Sequence, residues 1–185
     1  MAKLRGMAPV TLAHKLGTTP HISPLLMKAR RLGLPTGEHL EALAVARGCR
    51  YYGGGELPVV TTVSREQLSD EELAMALLSI AARYSPQSLR VGAAMASAAN
   101  IDPKRLAWLA RLERSEAVLR YVAECGARYE PQNEFWRAVL ALLPAPTPLP
   151  SGVLPHPTRF VAMTGITRRG VETVIEWIRP EPAHG

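Results

Sequence analysis

Proline recurs directly behind a residue that can cap a helix: Ser23-Pro24, Ser85-Pro86, Asp102-Pro103 and, with a poorer cap, Glu130-Pro131. A Ser or Asp side chain accepts the unpaired amides of a first helical turn. A proline just inside has no amide to leave unpaired, and its ring already fixes a helical φ. Each pair marks a helix start, so the chain is expected to be mostly short helices laid end to end. The predicted fold class is mainly α: a short-helix bundle or stacked helical hairpins, with a small β-hairpin after the third helix. A faint repeat suits the hairpins, because Ser69-Asp-Glu-Glu-Leu-Ala aligns with Asp102-Pro-Lys-Arg-Leu-Ala at an offset of 33.

Residues 1–64 are expected to form a basic helical region. A short helix over Pro9–Leu16 closes at Gly17, a second over Pro24–Leu32 stops at Gly33, and a third over Glu38–Arg47 ends at Gly48. Arg50-Tyr51-Tyr52 and Val59–Val63 have strand chemistry, with Gly53-Gly54-Gly55 as the turn between them. Three helices and a hairpin follow the order of a degenerate winged helix. Ala29 and Gly33 have the Ala-x-x-x-Gly spacing of a helix-turn-helix. Against that reading, His39 stands where an apolar residue is expected, and Glu38 and Glu41 would repel phosphate.

Residues 65–143 read as a helical domain. Ser69–Glu72 fits a capping box, with Ser64–Gln67 as an alternative start, and the helix is expected to run to Arg83. After Pro103, Leu106, Leu109 and Leu112 mark one apolar face, and Val118, Leu119 and Val122 another. The two faces differ by about 130° at 100° per residue, which predicts a break near Glu113–Glu116 with Ser115 as a cap. Gly126 is expected to close that segment, and a last helix spans Gln132–Leu143. Residues 144–158 form a proline-rich linker. Residues 159–185 then carry a strand at 159–163 and an amphipathic helix over Arg168–Arg179, striped by Val171, Val174, Ile175 and Ile178. This last unit is expected to pack back on the body or on a partner.

Charge is concentrated. Residues 1–65 hold nine Lys/Arg against three Asp/Glu, whereas residues 66–143 hold nine against ten. The basic first third points to an acidic partner or nucleic acid, with Lys28, Arg30, Arg31 and Arg50 as the contact residues. Thr167, Arg168 and Arg169, ahead of the expected last helix, are a candidate anion site. Cys49 and Cys125 stand alone and read as small buried residues. No stretch reads as a secretory leader or a membrane span, so the expected location is the cytoplasm. No catalytic, metal or cofactor motif stands out, and the reading leans against an enzyme. The chain is expected to be a non-catalytic helical binding or adaptor protein with a basic N-terminal surface, partnered by a protein or a second copy of itself. A DNA-binding regulator is the alternative, and an enzyme whose site the sequence does not display is the third reading.

Overall fold

The computed structural model of the chain describes residues 8–50, 55–164 and 174–181. Eight helices run through them: α1 (Leu12–Leu16), α2 (Pro24–Arg31), α3 (Gly37–Ala46), α4 (Asp70–Leu77), α5 (Pro86–Ala96), α6 (Pro103–Leu112), α7 (Glu116–Tyr129) and α8 (Glu134–Leu142). Ser23, Ser85 and Asp102 each accept an amide of the first turn, with proline just inside. The capping box of α4 is complete: Ser69 Oγ accepts the Glu72 amide at 3.2 Å, and the Glu72 carboxylate accepts the Ser69 amide at 2.8 Å. Ser64 and Gln67 exchange the same pair of bonds around a single turn ahead of the helix.

Three helix boundaries differ from expectation. Glu130-Pro131 is not a start: Glu130 ends α7, and Asn133 caps α8. α4 stops at Leu77 rather than Arg83. Beyond it the Ile80 amide donates to Ser115 Oγ at 3.1 Å, while the Ile80 and Ala82 carbonyls accept amides of Ala13 and Leu12 at 2.7 and 3.0 Å. Ser115 thus spends its hydroxyl on Ile80 and makes no cap bond of its own for α7. Gly126 lies inside α7 rather than at its end. A Cβ there would stand 2.2 Å from Trp136 Cε2, so the glycine lets the indole of α8 lie on the backbone of α7.

α4 is the centre of the molecule. Every residue from Asp70 to Leu77 is buried, and α2, α3, α5 and α6 all pack on it. The small residues of α5 let it approach closely. A Cβ at Gly92 would meet Leu78 Cγ at 2.9 Å and Leu77 Cβ at 3.0 Å. Each small residue buries little area, so this contact depends on its length.

The end of the chain does not form the expected helix within its described part. Val174–Trp177 is a strand, β2, antiparallel to β1 (Val161–Thr164), with Val161 opposite Trp177. Val174 and Ile175 are exposed, and Trp177 is buried. β-branched residues serve a strand as well as a helical stripe, and the indole decides between them. Trp177 stacks on Phe160 at 5.5 Å and lies 4.9 Å from the ring of Trp136, and a large aromatic buries more area than a Val or Ile. Glu181 then clips the end to the loop behind α3, its amide donating to the Gly48 carbonyl at 2.9 Å. Gly48 has φ +105°, and a Cβ there would run into the Glu181 carbonyl. Residues 168–173 lie outside the described residues.

The hairpin expected after the third helix is also absent from the described residues. Residues 55–64 contain no strand, and Val59 is almost wholly exposed; its expected partner segment, 51–54, lies outside them. A lone two-stranded hairpin is marginal in water. Here the segment is anchored instead by buried Val63, whose carbonyl accepts from Arg47 at 3.2 Å. Among the described residues the one sheet comes late in the chain.

Candidate functional site

α6 turns Lys104, Arg105, Trp108, Arg111 and Leu112 outward. At 100° per residue these fall within an arc of about 120°. The opposite side of the helix carries buried Leu106, Leu109 and Ala110. Leu112, expected in the core with Leu106 and Leu109, is exposed, because a spacing of three residues drifts by about 60° per step and so by about 120° over two. Trp108 is 58% exposed, whereas Trp136 and Trp177 are at 0% and 3%. An indole left in water among three cations is the least expected side chain on this surface.

α2 lies beside this face. Lys28 Nζ stands 2.7 Å from Glu72 Oε1, and Arg105 Nη2 stands 3.6 Å from the same oxygen. Burial alone would raise the Glu72 carboxyl; hydrogen bonds from Lys28 and the Ser69 amide, with the charges of Lys28 and Arg105, hold it below the usual carboxylate range. One inward-facing acid of α4 thus joins a cation of α2 to a cation of α6. Met27 and Arg31 extend the surface along α2, and Ile22, just ahead of it, is 79% exposed.

Glu113 fixes the relative position of the two helices. It ends α6, is wholly buried, and reaches under the start of α2. Its Oε1 accepts the Leu25 amide at 2.9 Å. Its Oε2 accepts the hydroxyls of Ser23 and of Ser79, the latter at 2.9 Å. Arg114 follows in the left-handed region at φ +54° and is exposed. A non-glycine residue held there reverses the chain sharply, and it adds another cation next to the junction.

The four basic residues singled out in the sequence are divided by the fold. Lys28 and Arg31 belong to this surface. Arg30 is exposed on α2 and lines a separate depression of about 340 Å³ with Thr36, Glu38 and Arg83. Arg50 lies elsewhere, its Nε 2.8 Å from Glu181 Oε1 at the edge of a depression that also holds Trp177 and Arg179. Thr167, Arg168 and Arg169 lie outside the described residues. α3, the counterpart of a recognition helix, has five successive buried residues from Leu40 to Ala44 and packs between α4 and α5.

Lys104, Arg105, Trp108, Arg111 and Arg114 escaped the reading of the sequence. Their signal was present: cations four and three residues before Trp108 and three after it, on the side away from Leu106 and Leu109. Charge counted by segment hid it. Asp70, Glu71, Glu72 and Glu113, all in the nearly neutral middle, are buried, while none of its nine Lys/Arg is.

The remaining chemistry is muted. Burial pushes the Cys49 thiol up to about 12 and Cys125 up to about 11, so neither is a thiolate near neutral pH. Burial also raises the Glu41 carboxyl, partly offset by the Ser88 hydroxyl that donates to it at 2.6 Å. Among the described residues no group of three or more His, Cys, Asp or Glu side chains could hold a metal ion. No helix among them is long and apolar enough to cross a membrane. Comparison of the chain with protein-family models, with curated proteins and with solved structures gives no match.

Proposed function

We propose that this is a non-catalytic binding protein that docks an acidic protein surface on the outer faces of α2 and α6. The observation that carries the reading is Trp108, exposed between Lys104, Arg105 and Arg111 with Leu112 beside it. Trp, Met and Arg are the side chains most enriched where proteins meet. A surface that served only to keep the chain soluble would have no use for an indole among its cations. The position of α3 between α4 and α5, with Leu40 to Ala44 buried, supports a protein partner over a DNA duplex, because only Glu38 and Ala46 of that helix are exposed, and Glu38 would repel phosphate.

The test follows the fluorescence of Trp108, the one strongly exposed indole among the described residues, during titration with poly-L-glutamate and with a DNA duplex. Binding of the polyanion at about 50 mM salt should shift the emission and weaken as salt rises. The double variant Arg105→Glu/Arg111→Glu should abolish the shift. A duplex that binds while poly-L-glutamate does not would replace this reading with the nucleic-acid one. A surface that binds neither would remove both.

A further inference from the structure

The proline-rich segment after α8 does not stand away from the body. Leu149, Val153 and Leu154 pack against the core. The hydroxyl of Tyr84 donates to the Val153 carbonyl at 2.6 Å, and that of Tyr121 donates to the Pro155 carbonyl at 2.7 Å. Between this strap and the start of α5 is a groove of about 820 Å³, within the size range of small-molecule sites.

Three features of the groove point to one ligand chemistry. Arg90 and Arg159 line it beside His156, and among the described residues no Asp or Glu does. Lys15 adds a further positive charge behind the Tyr84 ring, 5.2 Å from its centroid. Secondly, Gln87 is one of the lining residues, and its Nε2 is buried without a hydrogen-bond partner. A buried donor left unpaired is costly and calls for an acceptor. Thirdly, the Tyr84 and Tyr121 hydroxyls are committed to the strap, so these side chains offer the groove their rings.

We propose that this groove binds a small organic carboxylate with an aromatic body, its carboxylate taken by Gln87 Nε2 and Arg159 and its ring laid against Tyr84 and Tyr121. The cations select the charge, the unpaired amide supplies the directed bond, and the tyrosines with the apolar strap select the body. Arg90 is held at the rim by its Nε bond to the Arg159 carbonyl at 3.1 Å. That bond uses the backbone of Arg159, so a substitution of its side chain leaves it in place.

The experiment is a titration of the full chain, labelled with ¹⁵N, with 2-naphthoate, followed by amide resonances. The Gln87 side-chain amide and the backbone amides of 85–90 and 151–159 should shift together and saturate. Naphthalene-2-methanol, which lacks the charge, and inorganic phosphate, which lacks the body, should each bind at least about tenfold more weakly. Gln87→Met and Arg159→Gln should each weaken naphthoate binding about tenfold while leaving the melting temperature unchanged. Shifts confined to other residues, equal binding of the neutral alcohol, or no saturation by about 5 mM naphthoate would each overturn the proposal. So would variants that keep wild-type affinity. Because Trp108 and the α2–α6 face take no part, failure here leaves the acidic-partner reading standing, and the reverse holds.

Discussion

Gly126→Ala reverses the usual sign of a helical glycine substitution. Inside a helix, replacing Gly by Ala normally stabilises by about 0.5–1 kcal/mol. Here the added Cβ would lie 2.2 Å from Trp136 Cε2, 2.3 Å from Cδ2 and 2.6 Å from Nε1. Carbon atoms in contact sit about 3.5–4.0 Å apart, so the indole must retreat by more than about 1 Å. It has little room. Its ring is 4.9 Å from that of Trp177 and 5.0 Å from that of Phe135, and Nε1 donates to Glu130 at 2.9 Å. Overpacking of a filled core costs about 1–3 kcal/mol. Loss of a hydrogen bond to a charged acceptor adds about 1.5–3 kcal/mol. Set against the helical gain, the net loss is about 1.5–5.5 kcal/mol. Urea unfolding followed by far-ultraviolet circular dichroism measures it, with the near-ultraviolet spectrum reporting the indole. A second variant isolates the clash: with Trp136→Leu already in place, adding Gly126→Ala should cost far less than it does alone. A single Gly126→Ala variant that is more stable than the parent, with its aromatic spectrum unchanged, would refute the packing of α7 on α8 described above.

Two further outcomes follow from the buried acids. Glu113→Ala should cost about 3–5 kcal/mol in chemical unfolding, because it strands the Ser23 and Ser79 hydroxyls and the Leu25 amide at once; a loss under about 1 kcal/mol would mean that Glu113 does not join α6 to α2. Glu72 has its folded pKa below the unfolded value of 4.5, so its contribution to stability is present above that value and is lost as pH falls through the folded pKa. The melting temperature should therefore drop between about pH 5 and pH 3 more steeply in the parent than in Glu72→Gln, and parallel curves would refute the linkage.

What was legible in the sequence was local. Ser23-Pro24, Ser85-Pro86, Asp102-Pro103 and the Ser69 box each carry their own signal within four residues, and each marks a real helix start. The break at Glu113–Ser115 was readable because two apolar faces disagree in phase. What was not legible depends on a partner distant in sequence. α4 ends early because Ile80 finds Ser115 and α1. Gly126 looks like a terminator until Trp136 lies on it. Val174 and Ile175 make a plausible helical stripe until Trp177 meets Phe160 and Trp136. In the last case the largest side chain sets the local structure, whereas periodicity gives Val and Ile the same weight as Trp177.

The candidate surface was missed for a related reason, and it concerns charge. Counting charges along a chain assumes that each one reaches solvent. This fold breaks that assumption in one direction. Five carboxyl side chains, Glu41, Asp70, Glu71, Glu72 and Glu113, are buried, and their partners are hydroxyls, backbone amides and cations of neighbouring elements. Asp70 holds Arg47 and Arg65, Glu71 accepts the Asp102 amide at the start of α6, and Glu72 draws Lys28 and Arg105 together. With Asp70, Glu71, Glu72 and Glu113 used inside as joints between helices, the cations of the middle outnumber its acids at the surface. The middle of the chain, nearly neutral by count, therefore presents a basic face, and it is on that face that α6 sets Trp108. The same carboxylates that organise the α2–α4–α6 junction are withdrawn from the adjoining surface, so architecture and the proposed binding surface have a common origin in where the acids went.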